Sequence, residues 1–329
     1  MRIEFWGALR RAWQRMTDLL FRPLDPLRWL VLAFCAWVAG LLDGHGGSPG
    51  GIGSRGDRDG GFGSADFDPQ AVLQMLRAAC DAAMEGLRWV RGHWGLALLV
   101  LVVVPIALAV ILALVWVTSR FKFIYLDNLV RRRAEVAEPW RRLRRLGDSL
   151  FLFRLAFGLL ALLIGGGLVA LLVISGVFSL GSGVRPGAIV AIVIEALLLV
   201  AFAVVAIYAA LFLESFVVPI MYRRDLTALP AWRVFLPWLS AADGSFLVYG
   251  LFVLLLFVMA AAGLVVVGLA TCCIGFLLVA LPYVGTVVLL PLLVAYRYLS
   301  LEFLAQIDPT LNVFLPTEPM VHEAPEGAR

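Results

Sequence analysis

Charge is what this sequence has least of: Asp, Glu, Lys and Arg make up only 15% of 329 residues, where a soluble globular chain carries about a quarter. Lysine is almost missing, since Lys122 is the one lysine among 27 basic residues. That imbalance marks a GC-rich genome and carries no chemistry by itself. Histidine is scarce too, with three residues. His45, His93 and His322 fall at no metal-ligand spacing with one another or with cysteine, and no serine, histidine or acidic constellation has catalytic spacing. A metal centre, a cofactor and an enzyme are therefore not expected.

Apolar residues fill the gap, at 62% of the chain. They come in long blocks rather than at amphipathic spacing, and one core of this size cannot hide them. Lipid is the solvent for most of the chain.

A transmembrane helix needs about 20 apolar residues. Six stretches reach that length: 24–42, 94–118, 151–178, 188–218, 246–269 and 274–301. The first is short and spans only if Asp25 and Arg28 sit among the headgroups, with Arg28 snorkelling. The last two come from one run, Phe246 to Ser300, broken only by Arg297 and turning near 270–273. Pro282 and Pro291 either kink the final span or delay its start to Pro282 after a re-entrant stretch. The expected fold is an all-α polytopic membrane bundle, six transmembrane helices in three hairpins. An N-terminal segment, 1–28, precedes the membrane domain, 29–307, and a tail, 308–329, follows it.

Basic residues set the orientation. Six lie before the first span, nine between Ser119 and Ser149, three between Pro219 and Ser245, and two from Arg297 onward. The opposite side has five between Asp43 and His93 and Arg185 alone in the next loop. Both termini are predicted cytoplasmic, in a bacterial inner membrane. Two basic segments flank the span 94–118, so a further crossing must precede it, which supports the short first span. A cleavable signal peptide is not expected, because the apolar run ends at Leu41, Leu42 and Asp43 without a small-residue cleavage site.

Trp6, Leu9, Trp13, Met16 and Leu20 recur at steps of three and four, with Glu4, Arg10, Arg11, Arg15 and Asp18 on the opposite arc. This spacing predicts an amphipathic helix on the inner leaflet. Trp140 to Phe151 and Trp232 to Phe246 repeat the layout before the third and fifth spans, giving three units of interfacial helix plus hairpin. Anionic lipid is the partner that Arg10, Arg11, Arg15, Arg131, Arg132, Arg133, Arg141, Arg142, Arg144 and Arg145 suit best. Nucleic acid is not expected, because the basic run adjoins a span.

The outside insertion, 43–93, begins with a glycine-rich loop, after which Asp68 and Pro69 can start an amphipathic helix. Gly51, Gly53 and Gly56 fit GxGxxG, but no strand precedes them, which argues against a dinucleotide site. One glycine and aspartate turn around Gly60 to Asp68 is an imperfect, single-copy calcium motif. Cys35 lies in the first span. On the oxidising side, a disulfide from Cys80 to Cys272 or Cys273 stays open beside simple packing of small side chains.

Charges within spans are functional hypotheses by default. Depth matching pairs Arg154 with Glu214 as a structural ion pair. Glu195 has no such partner except Arg185, which makes it the acid that would titrate if the protein transported a solute; a hydrogen-bonded structural role is its alternative. Small residues around Gly165 to Gly167 predict close helix packing. The tail from Asp308, rich in proline and glutamate, is predicted to be disordered.

The run Leu20-Phe21-Arg22-Pro23-Leu24-Asp25-Pro26, followed by Arg28-Trp29-Leu30 through Ala36-Trp37 and a glycine-rich insertion, resembles a group of uncharacterised bacterial multi-pass membrane proteins. Tyr298 to Gln306 is similar to their ending. The plan also resembles the six-span membrane domain of some glycerophosphodiester phosphodiesterases, without their catalytic domain. The resemblance implies an inner-membrane location and no established activity. The expected function is a non-enzymatic protein organising lipid or partner proteins; a small-solute or ion transporter using Glu195 is the alternative, and a membrane-embedded enzyme the third.

Overall fold

A computed structural model describes residues 4–22, 24–41, 94–182, 186–241, 244–271 and 274–314. The insertion 43–93 with Cys80, the residues Cys272, Cys273 and Arg185, the three histidines and the tail beyond 314 lie outside the described residues. So do the expected glycine loop, outside helix, calcium turn and disulfide.

No strand occurs among the described residues. The chain begins with α1 (Phe5–Leu20) and α2 (Pro26–Gly40), then α3 (Trp94–Arg131), α4 (Ala137–Arg142), α5 (Arg144–Ser182) and α6 (Pro186–Phe212). A five-residue π-helical turn, Leu213–Val217, joins α6 to α7 (Val218–Arg224). There follow α8 (Ala228–Ala241), α9 (Ser245–Ala270), α10 (Ile274–Ala280), α11 (Val284–Ile307) and a 3-10 turn, Pro309–Leu311.

Local chemistry sets several boundaries. Asp25 caps α2, its Oδ1 accepting from Leu27 N at 3.0 Å and Arg28 N at 3.3 Å, with Pro26 at the first helical position. Tyr283, at φ +60°, turns the chain out of α10 into α11. Gly285 permits that turn, because a Cβ there would meet the Val279 carbonyl oxygen at 2.3 Å. The last long helix thus starts after Pro282, with α10 as a separate short helix before it.

Among the described residues five stretches are long and apolar enough to cross a membrane: Leu98–Arg131, Arg144–Val177, Gly187–Arg224, Ser245–Ala270 and Val284–Ile307. α2 is apolar but only 15 residues long, about 22 Å against a hydrocarbon core of about 30 Å. Four of the long stretches overrun, at one end, the spans read from sequence. Their extensions carry charge, which ends an apolar run in the sequence but not a helix whose charged side chains have partners.

The chain divides into two units by its internal contacts: 1–48, 119–150 and 211–329 form the first, 49–118 and 151–210 the second. In the first, α1 and α2 both pack on α11. The Trp29 indole donates to the Val287 carbonyl at 3.1 Å and the Tyr283 hydroxyl to Leu30 at 3.0 Å. Ala8, Ala12, Met16 and Leu19 form the buried side of α1. Phe216 centres an aromatic cluster, with ring centroids 4.9 to 6.0 Å from Phe212, Phe235, Phe246, Tyr249 and Phe303. The tail read as disordered starts as structure: Asp308 caps the 3-10 turn, and Leu311 and Val313 are buried because they have core to pack on.

In the second unit the membrane-length stretches of α3, α5 and α6 expose Leu, Val and Ile on all sides. So continuous an apolar surface is stable only in lipid. Gly165 lets α5 approach α6, since a Cβ there would lie 3.1 Å from the Phe202 ring, whereas Gly166 and Gly167 face open space.

Candidate functional site

In the first unit four carboxylates, Glu214, Asp127, Asp148 and Glu302, gather cations from other helices. α3 from Thr118 onward is buried nearly all round, and Arg120, Lys122, Asp127 and Asn128 are buried with it. A charge removed from water is tolerated only when paired and hydrogen-bonded.

Glu214 sits in the π-helical turn. The Val218 amide donates five residues back, to Leu213, and the next amide in that ladder would be that of Pro219, which has none. The Glu214 carbonyl accepts from Arg297 on α11, whose Nη1 donates at 2.6 Å. The Glu214 carboxylate takes the Lys122 ammonium at 2.8 Å. Beside it, the Ser215 and Tyr296 hydroxyls lie 3.1 Å apart.

Asp127, fully buried, gathers Arg142 at 2.5 Å, Arg131 at 3.0 Å and the Tyr222 hydroxyl at 2.5 Å on one oxygen. Arg120 forks onto Asp148, with Nε at 3.0 Å and Nη2 at 2.7 Å from Oδ1, and lies 5.0 Å over the Trp140 ring. Glu302 on α11 accepts from Arg11 at 2.9 Å and Arg15 at 2.5 Å, and so clasps α1.

Several residues expected to meet anionic lipid are thus engaged by carboxylates. Arg11, Arg15, Arg131 and Arg142 are the clearest; Arg144 reaches Asp148 at 3.6 Å and Arg145 reaches Asp225 at 3.6 Å. Arg10, Arg132 and Arg141 are exposed. Trp6 and Trp13, on the side of α1 turned away from α11, are 77% and 50% exposed. Depth matching does not consider the Lys122 ammonium, which meets Glu214. In that unit Ser175 on α5 donates to Glu195 on α6 at 2.5 Å.

Lys122, Asp127, Arg297 and Glu302 were not singled out as site residues by sequence. Two signals were present: Lys122 is the only lysine, and Arg297 is the only charge in its apolar run. Among the described residues no group of three or more His, Cys, Asp and Glu gathers to hold a metal ion. Each carboxylate faces cations, so the chemistry of the arrangement is the tying of helix to helix.

Five helices of membrane-crossing length, with no strand, among the described residues mark a multi-pass membrane protein. The chain belongs to a family of unknown function, DUF7544, whose sequence profile matches residues 6–306. No curated protein and no solved structure matches it.

Proposed function

We propose that the protein is a non-enzymatic, multi-pass protein of the bacterial inner membrane that organises anionic lipid and partner proteins. Its six spans form three hairpins, α2 serves as the short first span, and both termini are cytoplasmic. The basic residue distribution supports that orientation. α1 lies in the headgroup region, with Arg10 and the other outward-facing arginines toward anionic lipid.

The observation that carries this reading is the exposure of Trp6 and Trp13 on a helix whose other side is pinned to α11 by Glu302. Indole rings prefer the membrane interface, and a clasped helix holds them there without the entropy loss of ordering a free one. The Ser175 hydroxyl gives Glu195 the partner a structural acid needs, so we read Glu195 as an inter-helix tie rather than a transport residue.

Spin-labelled lipids in reconstituted vesicles test it. The protein should restrict phosphatidylglycerol more than phosphatidylcholine, and Arg10→Glu with Arg141→Glu should reduce that preference. Equal restriction of the two lipids would sink the reading.

A further inference from the structure

We infer that the cleft between the start of α2 and the α3–α4 loop is a specific seat for the phosphate of an anionic phospholipid. This rests on the lipid-organising reading and assigns it one location. The cleft encloses about 300 Å³ and is lined by Arg28, Arg132 and Arg133 together with Asp25, Leu27 and Val31. Three guanidinium groups against one carboxylate leave it positive, and Asp25 already turns Oδ1 to the Leu27 and Arg28 amides. Guanidinium forks match phosphate oxygens two at a time.

The cleft is held in shape from below. Fully buried Asn128 accepts from the Glu135 amide at 3.1 Å through Oδ1 and donates to the Glu135 carbonyl at 2.9 Å through Nδ2. Arg132, at φ +53°, turns the chain at the end of α3, and the Arg133 amide returns to the Asn128 carbonyl at 3.1 Å. Arg28 donates through Nη2 to the Arg132 carbonyl, while its Nε is buried with no hydrogen-bond partner. Arg133 reaches Glu135 and Glu138 only at 3.4 and 3.7 Å, contacts loose enough to yield to a phosphate. Leu27, 71% exposed, and Val31 one turn on offer an apolar side to an acyl chain, which a free anion does not need.

Native mass spectrometry of the full chain, exchanged in mild detergent with mixed phosphatidylcholine and phosphatidylglycerol, tests the assignment. The unaltered protein should retain phosphatidylglycerol, and Arg28→Gln with Arg133→Gln should lower retention about tenfold. Leu27→Glu sets a carboxylate at the mouth on an exposed side chain and should give the same loss; it decides the matter if the arginine pair fails to fold. Retention unchanged in Leu27→Glu overturns the site. Displacement of the lipid by equimolar inorganic phosphate overturns it too, by making the cleft a free-anion site. If Arg10→Gln with Arg141→Gln lowers retention while the cleft variants do not, the surface reading stands and the cleft fails. If no variant lowers it, both fail.

Discussion

The Arg297 guanidinium donates a 2.6 Å hydrogen bond to the main-chain oxygen of Glu214, the carbonyl that the next amide of the π-helical ladder would reach if residue 219 were not proline. A proline in one helix is thereby answered by a charge in another. Inside a membrane bundle a freed carbonyl must be satisfied by a neighbour, because no bulk water reaches it.

Arg297→Met should therefore destabilise the protein by about 2 kcal/mol, the range for a hydrogen bond to a charged group. Pro219→Ala restores an amide at the position that the π-helical ladder needs, so in that background Arg297→Met should be less harmful. Unfolding in mixed micelles reads both. Equal losses in the two backgrounds would show that Arg297 acts through some other contact.

The Lys122 and Glu214 pair should behave as a unit. Glu214→Gln alone strands the buried Lys122 ammonium and should destabilise by about 3 kcal/mol, while Lys122→Met should cost less because Glu214 is 33% exposed. The double variant Lys122→Met with Glu214→Gln should lose less than the two single losses combined. Strict additivity in the unfolding cycle would contradict the pairing.

Glu302 governs whether α1 stays on α11. Glu302→Gln removes the charge that holds Arg11 and Arg15, and should weaken local docking by about 2 kcal/mol, raising trypsin cutting at Arg10, Arg11 and Arg15 roughly tenfold or more. Raised salt should move the unaltered protein in the same direction, since Arg11 is 44% exposed and open to screening. Cutting rates insensitive to both changes would mean that the apolar side of α1 suffices.

Asn128→Leu should speed hydrogen exchange at the Glu135 amide, which loses its acceptor, and leave the Arg133 amide protected, because that one bonds the main chain of residue 128. The two amides are near neighbours, so the contrast separates loss of one hydrogen bond from loosening of the whole loop. Equal acceleration of both would mean the latter.

Much of the helical plan was legible in the sequence, because lipid demands long apolar runs and such runs announce themselves. What escaped was where helices end. Ser119 to Arg131 contains charges that look like a loop on the water side, yet Asp127 and Lys122 each have partners from elements far along the chain, and the helix continues through them. The same distance in sequence hid the site: nothing near Glu214 names Lys122, and nothing near Glu302 names Arg11. Glu195 was readable as an acid in an apolar helix, while its Ser175 partner, 20 residues earlier, needed the fold to bring it alongside. The scarcity of lysine was read as a genomic accident, and the composition gave no reason to think otherwise.

That scarcity has a practical side. With Lys122 only 4% exposed and its ammonium against Glu214, the folded chain presents no lysine side chain to an amine-reactive dye. A label that does reach residue 122 dates from a moment when the helices had parted, which turns one buried amine into a chemical clock for opening of the first unit.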